Sequence, residues 1–498
     1  MAGLGVLRCR ANPAAMSLST PTTRKWALRI AVGIAGFVAI RGIAALVDYL
    51  PSLRPVPTDH PDTVAPSDLQ AALRPASELT LDVSQTDVLV VAVCTLRRDR
   101  MGMYGHDQPT TPFLDRIADG GVVFEQHFTQ APWTRPAMGA IFTGRWPRVL
   151  QLDDPDRGRG FKAVVHESHS LLAELLKDQG FNTIGAVANP NLKAQFGFAQ
   201  GFDDYSEPAG TYKEQPHIPS SDEIVDQVLE KAAKVSPDER LYIRVNVLDT
   251  HLPHKFDPAY KKLFETSNSR LRNYDAALRT IDAELARLYA ALQEQRPNLL
   301  FVLVADHGEG LYLPKHHGPE HGNHVYRTTT QTPWLVHHPA LPEPGRRISG
   351  RSMNIDLVPT VLDLLHIEAT TELDGLSQAD AVRGETDQAA HHFAYSETFF
   401  RKRHLSTIYD GKHQLIRTYT VPTEEGPYSD EMFADADWQA NTNLFNKQPE
   451  TAILLRDALT EWEADMLARG QQSPEPTNEA EVDASTDQML RELGYVDE

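Results

Sequence analysis

The feature that most constrains this chain is a set of four short, strongly apolar runs separated by segments with helical periodicity. The runs cover residues 87–93, 182–187, 241–248 and 298–305. Runs of this length and composition are typical of strands that are buried on both faces of a parallel sheet. Between them, apolar residues recur at every third or fourth position over 170–179 and 274–293, which predicts helices. The sequence therefore predicts an α/β fold with a doubly wound, mostly parallel sheet.

Polar residues follow each run at the point where the strand would end. They are Cys94, Asn189, Asp249, His251, Asp306 and His307. Ligands of such sheets bind beyond the carboxyl ends of the strands, where parallel strands end side by side. One polar residue after a strand is more often a turn residue than a site residue, but four strands that each end in one indicate a functional site.

A long series of motifs identifies a family that this chain resembles. Residues 88–147 contain, in order, an apolar strand, TLRRD, MYG, TPFLD and TGRWP. This segment resembles the opening of bacterial sulfatases, and the similarity continues through GFNTIGAVANPN, VLDTHLP, ADHGEGL and the closing ELGYVDE. The resemblance implies a sulfatase-like catalytic domain of the alkaline phosphatase type over 85–385.

The remainder of the chain resembles the family only loosely. We expect a smaller C-terminal α+β subdomain over 386–470, with a minor antiparallel sheet and a helix around 451–468. Residues 471–487 are polar and acidic, which predicts a flexible segment, and we assign 471–498 to an acidic tail.

The resemblance also implies one divalent metal ion, which is calcium in the family. Asp306 and His307 stand at the family's late ligand positions, but Cys94 stands where the family has an early Asp ligand. Carboxylates suit calcium, whereas a thiolate suits a softer ion, so zinc or manganese enters as an alternative. Three interpretations of Cys94 stay open: a soft ligand, an inert buried thiol, or the mark of a lost metal site. The inert thiol is favoured because a free Cys usually behaves as a small hydrophobic residue.

The nucleophile segment departs from the family as well. Residues 134–138 read TRPAM, where sulfatases have C-x-P-x-R or S-x-P-x-R and convert the first residue to formylglycine. Thr134 cannot become formylglycine and Met138 replaces the Arg, so no formylglycine is expected. Thr134 precedes Pro136 and a helical run, and a helix N-terminus favours an alkoxide and an anion. Thr134 is therefore either a direct nucleophile, as in related phosphotransferases, or only an N-cap.

Further site residues follow from the resemblance. Asn189, His251 and His321 match family positions that contact the substrate anion or the leaving group. Arg97 and Arg135 would add charge-assisted hydrogen-bond donors for the anion. A histidine that is protonated near pH 7 would serve as the general acid.

Two functions are compatible with these residues. The first is a metal-dependent hydrolase or transferase of sulfuric or phosphoric esters that acts on a small molecule, a glycan or a lipid, with Thr134 attacking. Because a plain Thr lacks the aldehyde hydrate that expels sulfate, whereas a phospho-Thr can be attacked again at phosphorus, phosphoesters are the more natural substrates. The second is a catalytically degenerate binding or regulatory protein.

The N-terminal region predicts the location of the domain. Residues 26–50 are apolar and long enough to cross a bilayer, with basic residues before them and acidic residues after them, which predicts a single-pass anchor with residues 1–25 cytoplasmic. A cleaved signal peptide is the alternative. Residues 51–84 read as a Pro-rich linker, and the domain is expected in the periplasm or outside the cell. The net charge of -20 disfavours nucleic acid as a partner.

Overall fold

A large central sheet organises the part of the chain that the computed structural model describes. The described residues are 85–153, 160–209, 217–264, 269–312, 318, 320–341, 343–420, 427–473 and 479–496. The predicted cytoplasmic tail, anchor and linker over 1–84 lie outside them. Across the described ranges, no helix combines the length and the apolar character that crossing a bilayer requires.

The sheet contains nine strands within the described residues. In chain order they are β1 (Asp87–Val93), β2 (Val122–Phe128), β3 (Asn182–Val187), β4 (Asp204–Ser206), β5 (Leu241–Val247), β6 (Leu299–Ala305), β7 (Gln331–Thr332), β8 (Trp334–His337) and β9 (Arg346–Met353). Their spatial order is β4-β3-β5-β1-β6-β8-β2-β7, with β9 beside β2. β4, β3, β5, β1 and β6 pair in parallel, whereas β8 runs antiparallel to both of its neighbours.

The predicted fold class is therefore confirmed, and the four predicted strands are β1, β3, β5 and β6. Every residue of β1, β5 and β6 is buried. Because no face of these strands meets water, their sequences are continuous apolar runs rather than alternating ones. The predicted strands over 241–248 and 298–305 are each one residue longer than the strands that form.

Helices connect and cover the strands. They are α1 (Pro112–Gly120), α2 (Thr134–Thr143), α3 (Leu172–Lys177), α4 (Ser221–Ala232), α5 (Pro258–Lys261), α6 (Ser269–Gln295), α7 (Arg327–Thr330), α8 (Leu357–Leu364) and α9 (Ala379–Arg383). The predicted helices over 170–179 and 274–293 are present as α3 and α6. Asp282 of α6 accepts hydrogen bonds from the backbone N–H groups of Phe113 and Leu114, both at 2.9 Å, so a neighbouring helix caps α1.

The smaller C-terminal subdomain is also present. Its antiparallel sheet runs β10 (Ala394–Thr398), β11 (Leu405–Tyr409), β12 (His413–Tyr419) and β13 (Tyr428–Ala434), and the long helix α10 (Pro449–Gln472) packs on it. Buried Arg417 of β12 binds Asp430 of β13 at 3.0 Å and Glu463 of α10 at 2.7 Å. This pair of carboxylates neutralises the guanidinium and ties the helix to the sheet.

Part of the predicted acidic tail over 471–498 is helical, and this helix overlaps the end of 471–487, the segment predicted to be flexible. Residues Ala484–Glu492 form a further helix, α11, which Asp483 caps by accepting from the backbone N–H of Thr486 at 2.9 Å. Thr486, Met489 and Leu490 are buried at a spacing of three and four residues, which is one helix face. Overall composition hid this face, because the charged residues around it outnumber the few apolar side chains that anchor it.

Candidate active site

The polar residues after β1 and β6 meet at one edge of the sheet, as the parallel pairing of these strands requires. One ligand atom each from Cys94, Asp306 and His307 lies within 4.8 Å of the other two. All three side chains are fully buried. Asn189, which follows β3, joins this group because its Nδ2 lies 3.6 Å from Cys94 Sγ.

The Asp306 carboxylate is held on one side only. Its Oδ1 accepts hydrogen bonds from the backbone N–H of His307 at 2.7 Å and of Thr95 at 3.1 Å. Its Oδ2 is buried, has no hydrogen-bond donor among the described residues and lies 3.3 Å from His307 Nε2. Thr95 has a φ of 57°, a strained conformation for a β-branched residue that the surrounding structure must enforce. A buried carboxylate oxygen that accepts no hydrogen bond is favoured by a bound cation, which compensates its charge.

A backbone hydrogen bond orients the His307 ring toward the same cluster. Its Nδ1 lies 2.9 Å from the Gly308 carbonyl oxygen, so Nδ1 carries the proton and donates it. The lone pair of Nε2 then faces the cluster, as in a histidine that binds a metal. Burial lowers the pKa of His307 to about 4, which keeps the ring neutral at pH 7.

The donor set of Cys94, Asp306 and His307 fits a divalent cation, and its chemistry favours zinc over calcium. Thiolate, imidazole and carboxylate are the three ligand types of zinc sites, whereas calcium takes oxygen ligands. Burial, followed by the negative charge of Asp306, raises the pKa of the Cys94 thiol well above its usual value. A cation at the cluster would reverse that preference, because it favours the thiolate.

Thr134 is the first residue of α2, so its side chain lies at a helix N-terminus. Trp133 holds the N-cap position and makes no capping hydrogen bond through its side chain. The alternative that Thr134 is only an N-cap is therefore wrong. Thr134 Oγ1 lies 3.3 Å from His307 Nε2 and 3.6 Å from Cys94 Sγ, which places the hydroxyl beside the candidate metal ligands.

Asn189 is aimed at this hydroxyl by its neighbours. Its Oδ1 accepts from the backbone N–H of Asn191 at 2.9 Å and from Asn191 Nδ2 at 3.2 Å. The amide is thereby turned so that Nδ2 donates to Thr134 Oγ1 at 3.2 Å. Arg135 Nη2 donates to Asn191 Oδ1 at 2.8 Å, so Arg135 orients Asn189 through Asn191.

The two arginines predicted to bind the substrate anion have other partners. Arg135 donates to the carbonyl oxygens of Phe161 and Ala163 and stacks on Phe196, with 3.8 Å between its guanidinium carbon and the ring centroid. Burial lowers the pKa of Arg135 to about 9. Through Asn191, Arg135 is also connected to Asn189.

Arg97 is bound in a similar way. Its Nε and Nη2 donate to the two carboxylate oxygens of Asp99 at 2.8 and 2.6 Å, and its Nη1 donates to the carbonyls of Glu309 and Gly310, both at 3.0 Å. Arg97 therefore holds the loop that follows Asp306 and His307.

His251 and His321 border the site from the other side. The ring centroid of His321 lies 4.3 Å from that of His307 and 5.1 Å from that of His251. His321 Nδ1 lies 3.2 Å from both oxygens of buried Glu309, and His251 Nδ1 lies 2.6 Å from the Leu252 carbonyl oxygen. Burial lowers the pKa of both histidines to about 4, which favours neutral rings at pH 7.

Asp249, the remaining polar residue after a strand, has a structural role. Its Oδ1 accepts from the backbone N–H of Ser221, the first residue of α4, at 3.2 Å. A carboxylate at this position satisfies a free N–H group at the start of the helix. Asp249 is thus the turn-type residue that its position after β5 also allowed.

Two residues of the site were missed from the sequence. Glu309 stands in the ADHGEGL motif beside the predicted ligands, and its contact with His321 had no local signal. Tyr495 stands in the closing ELGYVDE motif, yet its hydroxyl lies 2.7 Å from that of Thr134, 361 residues away along the chain. The only sequence signal was the presence of that closing motif among the family landmarks.

Comparison with known families gives two matches to this chain. The model of the Sulfatase family matches residues 86–367. The model described as N-sulphoglucosamine sulphohydrolase, C-terminal, matches residues 317–460. The first covers the sheet and all the residues of the Cys94, Asp306 and His307 cluster, and the second covers most of the C-terminal subdomain.

Individual relatives are distant and differ in chemistry. A Delta 4,5-hexuronate-2-O-sulfatase of Bacteroides thetaiotaomicron is 21% identical over 376 residues, which are 64% of this chain and 76% of the relative. Phosphoethanolamine transferase EptC of Escherichia coli strain K12 is 24% identical over 321 residues, 59% of this chain and 51% of the relative. The solved phosphonate monoester hydrolase of Agrobacterium radiobacter has a TM-score of 0.60 at 16% identity, covering 76% of this chain and 96% of that chain. The structural likeness shows a shared fold.

Proposed function

Because the chain belongs to the sulfatase family, we propose that it is a metal-dependent hydrolase or transferase of phosphoric esters, or more slowly of sulfuric esters, with Thr134 as nucleophile. The observation that carries this proposal is the position of Thr134 Oγ1. It lies at the N-terminus of α2, 3.3 Å from His307 Nε2 and within the hydrogen-bond reach of Asn189. A hydroxyl at a helix N-terminus beside a cation site is suited to attack an anionic ester.

A divalent cation would be held by Cys94, Asp306 and His307, and members of the family generally use one. When bound, it would lower the pKa of the nearby hydroxyl and neutralise the negative charge of the ester. The protein contributes the orientation of each ligand: Thr95 fixes Oδ1 of Asp306, and the Gly308 carbonyl fixes the His307 ring. Zinc suits the thiol of Cys94 better than calcium does, and manganese is a further candidate through Asp306 and His307.

The residues of the chain support a two-step transfer at phosphorus. Thr134 Oγ1 gives up its proton to solvent and attacks phosphorus, the bond from phosphorus to the leaving oxygen breaks, and that oxygen takes a proton from solvent as the alcohol departs. Water or an acceptor alcohol then attacks the phospho-Thr134 ester and gives its proton to His251 Nε2, and the released Thr134 oxygen takes up a proton to restore the hydroxyl. The N–H group of Asn189 and the backbone N–H groups at the start of α2 are donors for the oxygens of the transferring group.

The protonation state of His251 affects which esters should react fastest. His251 Nδ1 donates to the Leu252 carbonyl, so its Nε2 carries a lone pair, and among the described residues Nε2 has no hydrogen-bond partner. A neutral ring in this tautomer accepts a proton rather than giving one. We therefore assign His251 to the activation of the second nucleophile, and we expect esters with a good leaving group to react fastest.

The relatives support phosphorus and sulfur chemistry together. The printed names of the relatives describe a 2-O-sulfatase, a phosphoethanolamine transferase and a phosphonate monoester hydrolase. A phosphorylated or sulfated small molecule, glycan or lipid is the corresponding substrate class here. The unmodified Thr134 favours phosphorus, because a sulfated Thr has no aldehyde to collapse to.

Aryl esters test this function directly. The full chain, loaded in turn with zinc, manganese and calcium, is assayed with p-nitrophenyl phosphate, p-nitrophenyl phenylphosphonate and p-nitrophenyl sulfate. We expect kcat/KM for the phosphorus esters to exceed that for the sulfate by about tenfold or more, a difference of about 1.4 kcal/mol in barrier. A preference for the sulfate would contradict Thr134 chemistry at phosphorus.

The alternative of a catalytically degenerate binding protein has one specific observation in its favour. The hydroxyl of Tyr495 lies in contact with the hydroxyl of Thr134, so the candidate nucleophile is covered. A chain that binds no metal and turns over none of the three aryl esters would support this alternative.

We also propose that the domain is held outside a membrane. The support is the apolar sequence of residues 26–50 with basic residues before it and acidic residues after it. Protease added to intact cells, or to spheroplasts, should cleave the domain, and full protection in both would contradict this location.

A further inference from the structure

The last part of the chain enters the candidate active site. We call residues 483–496 the C-terminal lid; it consists of the cap Asp483, helix α11 and the following turn. Tyr495 of the lid is 1% exposed. Its hydroxyl lies 2.7 Å from Thr134 Oγ1 and accepts a hydrogen bond from Asn189 Nδ2 at 3.1 Å. The lid therefore contacts the two residues that would meet the reacting group of an ester.

The position of the Tyr495 hydroxyl excludes a substrate. An ester under attack by Thr134 must bring its central atom and oxygens to within about 3–3.5 Å of Oγ1. The phenol oxygen already lies inside that distance and uses the Asn189 N–H group. Its ring lies between 5.6 and 6.0 Å from the rings of His251 and His321, centroid to centroid, on the side where a leaving group would be. The phenol and a bound ester cannot occupy this volume together.

Polar contacts attach the lid to its surroundings. Among the described residues, Lys193 Nζ donates to Thr486 Oγ1 at 2.9 Å and lies 3.7 Å from Asp483 Oδ2. Arg401 Nη2 donates to the Gly494 carbonyl at 2.7 Å.

Apolar side chains complete the attachment, since Met489, Leu490 and Leu493 are buried. A helix of nine residues is marginal by itself, so α11 depends on this docking. Opening of the lid breaks these contacts alone, and such local opening costs less free energy than unfolding of the whole domain.

Two cavities next to the site share the lid as a wall. One, of about 330 Å³, is lined by His251, His321 and Phe400 together with Glu492, Leu493 and Gly494 of the lid. The other, of about 450 Å³, is lined by His251 and Lys255 together with Glu492 and Leu493 of the lid. Movement of the lid would thus change the space around both histidines as well as around Thr134.

We propose that the C-terminal lid is an intramolecular competitor of the substrate: with Tyr495 seated on Thr134 and Asn189 the site is closed, and the lid must leave before a phosphate or sulfate ester binds. This inference rests on the proposed function in that it takes Thr134 and Asn189 as the anion-contacting residues. It assigns Tyr495 to regulation of access rather than to the chemical step. The apparent affinity for any anion is then reduced by the fraction of molecules that are closed.

Hydrogen exchange tests the competition without any turnover. The metal-loaded full chain is incubated with and without saturating inorganic phosphate, and amide exchange is followed by mass spectrometry over the peptide that contains 484–496. Because phosphate and Tyr495 compete, phosphate should accelerate exchange of this peptide about fivefold or more. Exchange that is unchanged or slowed by phosphate would overturn the proposal, since the lid would then tolerate or assist the anion.

A single-atom variant tests the role of the hydroxyl. Tyr495→Phe keeps the ring and removes the hydrogen bonds with Thr134 and Asn189, so the lid should open more often. The apparent Kd of inorganic phosphate, measured by calorimetry, should then fall about fivefold, which is the factor that corresponds to one net hydrogen bond. The matched control is Tyr428→Phe, since Tyr428 is 48% exposed on β13, and its Kd should equal that of the wild type. An unchanged or weaker affinity in Tyr495→Phe, or no phosphate binding by either protein, would overturn the proposal.

The outcomes separate this inference from the proposed function. If the chain hydrolyses aryl phosphates but phosphate does not open the lid, the lid proposal fails alone. If phosphate opens the lid but no ester is turned over by wild type or Tyr495→Phe, the proposed function fails alone. Activity that falls in Tyr495→Phe while phosphate affinity is unchanged would make Tyr495 a catalytic residue instead and would also overturn the lid.

Discussion

Replacing Thr134 with alanine should lower kcat/KM for p-nitrophenyl phosphate by about 10³-fold or more, the range in which loss of a catalytic nucleophile falls in other enzymes. The change removes the only hydroxyl that lies within 3.3 Å of His307 Nε2 among the hydrogen bonds of the described residues. Chemistry would then depend on water, which lacks the fixed position at the start of α2. Initial rates at several substrate concentrations, on metal-loaded protein, measure the effect.

Two further variants show whether the loss is chemical. Thr134→Ser keeps the hydroxyl and should retain activity within about tenfold of the wild type, because only a buried methyl group is lost. Thr143→Ala removes a hydroxyl from the last residue of the same helix, where it donates to the Gly139 carbonyl at 2.7 Å. Equal activity losses in Thr134→Ala and Thr143→Ala would indicate damage to α2 and would remove Thr134 from the mechanism.

Replacing Cys94 with aspartate should change the metal on which the chain depends. The variant exchanges a thiol for the carboxylate that the resemblance to sulfatases implies at this position, so the cluster gains hard oxygen ligands. We expect zinc affinity to fall about tenfold or more, and calcium- or magnesium-supported hydrolysis of aryl phosphate to rise by a similar factor. Metal content by mass spectrometry and metal titrations of activity measure both effects.

The matched control for this exchange is Cys94→Ser, which is nearly isosteric but offers a poor ligand. It should lose zinc without gaining a response to calcium, because it supplies neither a thiolate nor a carboxylate. Zinc affinity equal to that of the wild type in both variants would show that Cys94 is an inert buried thiol. If the wild type is inactive and Cys94→Asp is active with every metal, Cys94 is the residue that prevents activity in the natural chain.

The sheet could be predicted from sequence because its signal is local. Residues 87–93 and 182–187 form strands with the predicted bounds, since burial on both faces demands an uninterrupted apolar run. The same logic predicted that polar residues after the strands meet at one edge, and Cys94 and Asp306 do approach each other because β1 and β6 pair in parallel. The resemblance to sulfatases, not the strand pattern, suggested that these residues bind a metal.

Arg97 and Arg135 show that a family motif does not predict which groups a side chain contacts. Arg97 and Arg135 stand in segments that resemble the family, and their charge suggested contact with an anion. The structure instead surrounds them with Asp99, backbone carbonyls and Asn191. A guanidinium has five donors in a fixed plane, and which acceptors fill that plane depends on loops that are distant in sequence.

The sequence by itself determined the α/β class, the strands, and the meeting of Cys94, Asp306 and His307 at one edge of the sheet. Only the tertiary structure decided how residues 484–496 are arranged: 484–492 form a helix, and Tyr495 in the turn that follows it covers Thr134. The physical reason is the range of the interactions. The burial of a strand can be predicted from a run of neighbouring apolar residues. A contact between residues 361 positions apart depends on the path of the whole chain and produces no periodic pattern in the sequence.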